Sequence, residues 1–164
     1  MIKQMTAIAA TGLLLAGCAS PAAPVQEKVL GSSYTSIAKN ANATTVRMYM
    51  WGGDEGINAY IDEYVAPKLK KEHKITLKRV PIETADLIQK LRAEKKAGKE
   101  TGVIDVVWIN GDNFRNAKKD GLLYGEITKV LPNMKYVDPQ AQGSDSGTPT
   151  DHLEAAWGKV QYTF

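Results

Sequence analysis

Three groups of residues have the types and positions needed to hold a small molecule. Residues 51–54 read Trp-Gly-Gly-Asp and residues 110–113 read Asn-Gly-Asp-Asn, each directly after a strand-like run, and Trp157 lies in a third such run. Aromatic rings hold flat or cationic molecules, and glycines let a ligand approach the backbone. The expected ligand-binding residues are Trp51, Gly52, Gly53, Asn110, Asp112, Asn113 and Trp157.

Each of these groups also has a purely structural interpretation. The two glycines could form a tight turn between a strand and a helix, and Asp112 alone could supply turn and N-cap chemistry. Trp51 and Trp157 could equally be core residues. We interpret Trp108 as a packing residue, because it lies inside the apolar run 103–109.

Catalytic and metal-binding patterns are missing from the sequence. Residues 52–55 read Gly-Gly-Asp-Glu, as in diguanylate cyclases, but here they join a strand to a helix, whereas the cyclase signature sits on a β-hairpin. There is no nucleophile elbow and no phosphate loop. The two histidines, His73 and His152, are far apart and read as surface or loop residues, and one cysteine excludes multi-cysteine metal sites. We therefore expect no enzyme activity, no metal and no cofactor.

The composition is that of a soluble globular protein. The chain has 164 residues, of which 43% are hydrophobic and 24% are charged. Its net charge of +3 is spread along the sequence without a basic block that could follow a phosphate backbone. Nucleic acid is not an expected partner.

The amino terminus has the layout of a bacterial lipoprotein signal. Lys3 precedes an apolar run over residues 7–16, which is too short to cross a membrane. The run ends in Leu-Ala-Gly-Cys at residues 15–18, which resembles a lipobox, with Cys18 as the lipidated residue. An ordinary signal peptide with a buried structural cysteine is the alternative. We expect a signal peptide over 1–17, a lipidated, flexible tether over 18–31 and a folded part over 32–164.

The folded part alternates strand and helix patterns. Apolar residues in helical spacing follow Asp54 and include Tyr60, Ile61 and Tyr64. Asp105 is expected at the entrance of a strand, since a carboxylate among so many hydrophobic residues needs a partner or solvent. The expected strands cover residues 44–51, 74–82, 103–109 and 155–164, and the expected helices begin after Ser33, at Glu55, near Thr84 and after residue 113.

The order of these elements predicts an α/β fold with an open, mostly parallel sheet and flanking helices. The run 103–109 is nearly continuous in apolar residues and predicts the central strand. Residues 124–153 are expected to form a long irregular surface connection. Ligands of such sheets bind at the carboxyl ends of the strands, where the three candidate groups lie.

The same segments resemble a known family. Residues 51–54, 105–114, 131–133 and 156–158 are similar to extracellular solute-binding proteins of ABC importers, of periplasmic-binding-protein type II and most of all the YnjB-like group. The resemblance implies two α/β lobes that close on a small-molecule solute and deliver it to ABC permease subunits. It also implies that residues 32–164 are the amino-terminal lobe and that the second lobe is absent.

The lipobox and the resemblance imply the same location. We expect a protein of the cell envelope, anchored to the membrane through its lipid and facing the periplasm or the cell exterior. The alternative is an α/β lipoprotein without a role in transport, either structural or an enzyme whose chemistry is not visible in the sequence.

Overall fold

The computed structural model describes residues 29–99 and 101–158. The predicted signal peptide, Cys18 and most of the predicted tether lie outside these residues. The helices are α1 Tyr34–Ala41, α2 in three continuous segments (Glu55–Ala59, a π-helical Tyr60–Val65 and Ala66–His73), α3 Thr84–Lys96, α4 Gly111–Lys119 and α5 Pro139–Gly143. The strands are β1 Thr45–Met50, β2 Thr76–Pro81, β3 Val106–Val107, β4 Ser144–Asp145 and β5 Thr148–Pro149, and two 3-10 turns cover Ile127–Val130 and Pro132–Tyr136.

Three strands form a parallel sheet in the order β2-β1-β3. β1 pairs with β2 along its whole length, from Thr45 opposite Thr76 to Met50 opposite Pro81. Helices connect the strands, as parallel pairing requires. The predicted α/β class with an open parallel sheet is confirmed.

The predicted central position of the third strand is wrong. β3 has two residues and lies at the edge of the described sheet, and β1 is the middle strand. The ladder is short at this edge because the Asp105 carboxylate, and not a backbone carbonyl, accepts the Arg47 N–H at 2.8 Å. Arg47 Nε also donates to Asp105, at 3.0 Å. Asp105 therefore lies paired at the strand entrance, as its sequence context predicts.

The core lies between the sheet and the helices. Its buried apolar residues are Tyr49, Met50, Ile61, Leu87, Ile88, Phe114 and Ala117. Ile61 is buried as the helical spacing predicts, but Tyr60 and Tyr64 are exposed. Tyr60 to Val65 form a π-helical segment, whose wider turn does not keep the 3.6-residue spacing on which the prediction depends.

Side-chain caps fix two helix starts at the predicted residues. Ser33 Oγ accepts a hydrogen bond from the Ser36 N–H at 3.3 Å and begins α1. Asp54 Oδ1 accepts one from the Ile57 N–H at 2.9 Å and begins α2. α2 therefore starts directly after the turn that follows β1.

The connection after α4 contains short elements in place of the predicted irregular loop. β4 and β5 form a two-residue antiparallel hairpin, and α5 precedes it. Lys118 of α4 holds the end of the hairpin through an ion pair with Asp151 at 2.7 Å and a hydrogen bond to the Pro149 carbonyl. His152 lies in this connection, where its Nδ1 is 2.9 Å from Thr128 Oγ1.

The end of the described chain differs from the prediction. Residues 155–158 have no regular secondary structure, so the strand predicted from residue 155 does not begin there, and residues 159–164 lie outside the described part. Within residues 29–99 and 101–158, no helix has the length and apolar character needed to cross a bilayer.

Candidate functional site

A pocket of about 400 Å³ opens at the carboxyl edge of the parallel sheet. Three helices begin around it, because each helix starts where a strand ends: Asp54 precedes α2, Thr84 opens α3 and Asn110 precedes α4. Its lining consists of Met50, Trp51, Asp54, Ile57, Thr84, Trp108, Ile109 and Asn110. This is the edge at which open α/β sheets bind ligands.

Trp51 separates this pocket from a second one. The second pocket, of about 430 Å³, is lined by Trp51, Gly52, Gly53, Pro81, Ile82 and Glu83. The Trp51 side chain lines both pockets, and 52% of it remains exposed to solvent. An exposed indole between two cavities is well placed to stack on a ligand.

The two glycines after β1 are required by close packing within the chain. A Cβ on Gly53 would lie 2.0 Å from Trp51 Cζ2, and one on Gly52 would lie 2.9 Å from Pro81 Cβ. Asn58 of α2 fixes the turn, since its Nδ2 donates to the Gly52 carbonyl at 2.8 Å. The sequence gives no indication of this role for Asn58, whose partner is known only once the helix is folded against the turn.

The 110–113 group is only partly brought to the pocket. Asn110 lines it together with Trp51. Asp112 is 76% exposed at its side chain and pairs with Arg115 at 2.8 Å. The Asn113 N–H donates to the Asn110 carbonyl at 3.1 Å, and Asn113 is half-buried outside the pocket lining. A contact role for Asp112 and Asn113 stays a prediction.

Helix α4 receives its cap from a distant residue. Asn110 makes no side-chain cap, and the Gly111 N–H donates to Asp145 Oδ2 of the β4–β5 hairpin at 2.5 Å. The structural interpretation in which Asp112 supplies this cap is therefore wrong. Gly111 has a φ of +53°, a conformation that favours glycine.

Trp108 is not a core residue, and this corrects its sequence-based interpretation. It is half-buried, directly follows β3 and lines the 400 Å³ pocket. Its ring centroid lies 5.0 Å from that of Trp157. The signal available in the sequence was its position two residues before Asn110, at the carboxyl end of the predicted strand.

Aromatic contacts continue from Trp157 along the surface of α2. Trp157 packs edge-on against Tyr60 at 5.9 Å, and Tyr60 stacks on Tyr64 at 5.4 Å. Lys68 lies over the far side of Tyr64, with its Nζ 5.5 Å from the ring centroid. We call Trp108, Trp157, Tyr60 and Tyr64 the aromatic row.

Gln142 of α5 positions the segment that carries Trp157. Its Nε2 donates to the Glu154 carbonyl at 2.7 Å, and its Oε1 accepts the Ala156 N–H at 3.0 Å. The carboxyl group of Glu154 is partly buried, and this burial together with the nearby charge of Asp145 raises its pKa to about 7. Trp157 thus follows a backbone segment that one side chain holds at two points.

The two linings offer groups that can stack and form hydrogen bonds. The two pocket linings contain aromatic, aliphatic and amide groups, two glycines, one threonine and two carboxylates, from Asp54 and Glu83. In the described residues, no three histidine, cysteine, aspartate or glutamate side chains lie close enough together to hold a metal ion.

Comparisons with known proteins identify a family. Residues 64–161 match the family described as bacterial extracellular solute-binding protein. The chain is 38% identical over 136 residues to Protein YnjB of Escherichia coli (strain K12), a match that covers 81% of this chain and 35% of that protein. The chain therefore spans about a third of the length of the curated relative it matches. No solved structure gives a significant match.

Proposed function

The chain belongs to the family of bacterial extracellular solute-binding proteins, and from this we propose that it captures a small solute for delivery to the permease of an ABC importer. The family implies a location in the periplasm or outside the cell. Its members are in general binding proteins and not enzymes. The proposed partners are a small-molecule solute and the permease subunits.

One observation carries the proposal for this chain. The pocket at the carboxyl edge of the sheet brings Trp51 and Asn110, which are 59 positions apart in the sequence, into one lining. An exposed indole offers stacking area, and a side-chain amide offers both a donor and an acceptor. This combination of apolar wall and few polar groups is typical of small-molecule sites.

The arrangement also supports a division of the chain. We propose residues 32–164 as the amino-terminal lobe of a two-lobed binding protein, with Trp51, Gly52, Gly53, Asn110 and Trp157 on the wall that contacts solute. We further propose that residues 1–17 are a signal peptide and that Cys18 carries a lipid, which would hold the protein at a membrane, facing the periplasm or the cell exterior.

Equilibrium dialysis of the full chain tests solute capture. The chain is dialysed against a mixture of amino acids, sugars, polyamines, vitamins and inorganic anions, and the retained compounds are identified by mass spectrometry. We expect at least one compound to be retained in a saturable way, and the double variant Trp51→Ala with Asn110→Ala to lose it. Tyr136→Ala is the matched control, since Tyr136 is exposed and lines neither pocket. Retention that the double variant leaves unchanged would place binding elsewhere, and no retained compound would contradict the proposal.

A further inference from the structure

The charged side chains around the pocket bear on the class of solute that it could hold. Helix starts commonly attract anions, because their free N–H groups carry partial positive charge. Three helices begin at this edge of the sheet, so an anionic solute would be the simplest expectation from topology.

The chain's own carboxylates cap two of these three helix starts. Asp54 accepts the Ile57 N–H of α2 at 2.9 Å, and Asp145 accepts the Gly111 N–H of α4 at 2.5 Å. Glu83 is the residue immediately before α3. A second acidic residue lies in the first turn of each helix: Glu55 in α2, Asp86 in α3 and Asp112 in α4. An incoming anion would meet a capping carboxylate at α2 and at α4 and the carboxylate of Glu83 next to α3, whereas Asp112 is already paired with Arg115 at 2.8 Å.

The charged residues that line the two pockets are also negative. The only charged residues of the linings are Asp54 and Glu83, and the described part of the chain contributes no lysine, arginine or histidine to either lining. Two carboxylates among the lining residues, with no cation beside them in the lining, favour a cationic solute and disfavour an anionic one.

The nearby cations are paired outside the pockets. Arg79 lies behind the turn, with its Nη1 3.8 Å from the Cβ position of Gly52, and its Nε and Nη2 both donate to Asp62 at 2.9 and 2.7 Å. Lys68 lies at the Tyr64 end of the aromatic row, and Trp108 at the other end lines the pocket. Neither cation is among the residues that line the two pockets.

The aromatic residues of the pocket wall favour a second property of the solute, a flat ring. Trp51 and Trp108 both line it, and Trp157 packs against Trp108. Indole faces attract cations through their quadrupole and stack on flat rings. A solute with a ring and a positive charge would use both properties of the site.

We propose that the solute held at this wall is an organic cation with a flat ring, an inference that rests on the proposed solute capture. The ring lies against the indoles of Trp51 and Trp108, and the charge faces Asp54. Phosphate, sulfate and carboxylate solutes are disfavoured.

Three probes that share one ring test the charge requirement: 1-methylnicotinamide, nicotinamide and nicotinate, which are cationic, neutral and anionic at pH 7.5. Isothermal titration of the full chain should show 1-methylnicotinamide binding at least about tenfold more tightly than nicotinate. Tetramethylammonium, a cation without a ring, should bind more weakly than 1-methylnicotinamide. Raising the salt concentration should weaken the binding of 1-methylnicotinamide.

Asp54→Asn is the diagnostic variant, because asparagine keeps the N-cap of α2 and removes its charge. We expect affinity for 1-methylnicotinamide to fall about fivefold and the thermal midpoint to stay unchanged. Glu126→Gln is the matched charge control: Glu126 is exposed, pairs with Lys129 at 2.8 Å and lines neither pocket. This control should leave the order of the three probes intact.

The outcomes separate the inference from the proposed function. Nicotinate, phosphate or sulfate binding more tightly than 1-methylnicotinamide would overturn the cationic class, and so would an unchanged affinity in Asp54→Asn. Equal binding of tetramethylammonium would overturn the ring requirement. If no probe binds while the dialysis experiment retains another solute, the inference fails and solute capture stands. If neither experiment detects binding, both fail.

Discussion

Asp145 accepts the Gly111 N–H at 2.5 Å and so caps helix α4 from a hairpin 34 residues further along the chain. Gly111 follows Asn110, which lines the pocket. The hairpin is held from the other side by Lys118, near the end of α4, which pairs with Asp151 at 2.7 Å. The connection after α4 therefore contacts both ends of this helix, through Asp145 at its start and Asp151 near its end. The contact at the start holds the backbone next to Asn110, which lines the pocket.

The first prediction concerns this cap. Asp145→Ala removes the acceptor for the Gly111 N–H, and we expect it to lower the free energy of unfolding by about 1–2 kcal/mol. Asp145→Asn retains an acceptor oxygen and should recover most of the loss. Urea unfolding measures the stability, and hydrogen exchange at residues 111–114 should be faster in the alanine variant. Equal stability of the wild type and both variants would show that the cap contributes nothing.

The second prediction concerns the turn that carries Trp51. Gly53→Ala would place a Cβ 2.0 Å from the Trp51 ring, so the indole must leave its position between the two pockets. We expect a changed near-ultraviolet circular dichroism spectrum and a loss of solute affinity of about tenfold.

Gly143→Ala is the matched control for that substitution, because a Cβ on Gly143 meets nothing within 4 Å. This control should keep both the spectrum and the affinity. A Gly53→Ala variant with the wild-type spectrum would show that the Trp51 ring is not held against the turn in solution.

Local patterns in the sequence were sufficient to predict the first half of the fold. The strand at 44–51, the helix that begins at Glu55 and the helix near Thr84 each depend on residues that are close together in the sequence. The pocket residues Trp51 and Asn110 follow from the same patterns, since both lie at strand ends. The carboxyl edge of the sheet was therefore predictable as the place where Trp51 and Asn110 meet in one pocket lining.

Features that depend on distant partners were not predictable. Asp105 reaches Arg47, 58 positions away, and shortens β3 at the sheet edge, and Trp108, which directly follows β3, lines the pocket. Asp145 and Asn58 hold the pocket edge and the glycine turn through contacts made only after folding. A hydrophobic run such as residues 103–109 predicts a strand but does not determine the position of that strand in the sheet.

The third prediction concerns the lipid anchor. In a bacterial host that processes lipoproteins, labelled palmitate should be incorporated into the wild-type chain and not into Cys18→Ala, because the thiol is the acceptor for the lipid. The alanine variant should also leave the membrane fraction. Incorporation that survives the substitution would contradict anchoring at Cys18.

The fourth prediction concerns pH and Glu154. Burial and the charge of Asp145 raise the pKa of Glu154 from 4.5 to about 7, so the folded chain holds a proton there that the unfolded chain has released. Folding is then favoured while this carboxyl is protonated, and that stability is lost as the pH rises from 4.5 through 7. Because the group remains partly open to solvent, we expect the loss to be on the order of 1 kcal/mol.

Glu154→Gln isolates this effect, since glutamine does not titrate. Urea unfolding at pH 4.5, 6 and 8 measures the free energy of unfolding of the variant and of the wild type. From pH 4.5 to pH 8 the difference between the two should shift by about 1 kcal/mol in favour of the variant. Glu126→Gln, which alters an exposed carboxylate paired with Lys129, should show no such shift over the same window. A difference for Glu154→Gln that stays flat, or that moves in favour of the wild type as the pH rises, would show that folding does not raise the pKa of Glu154.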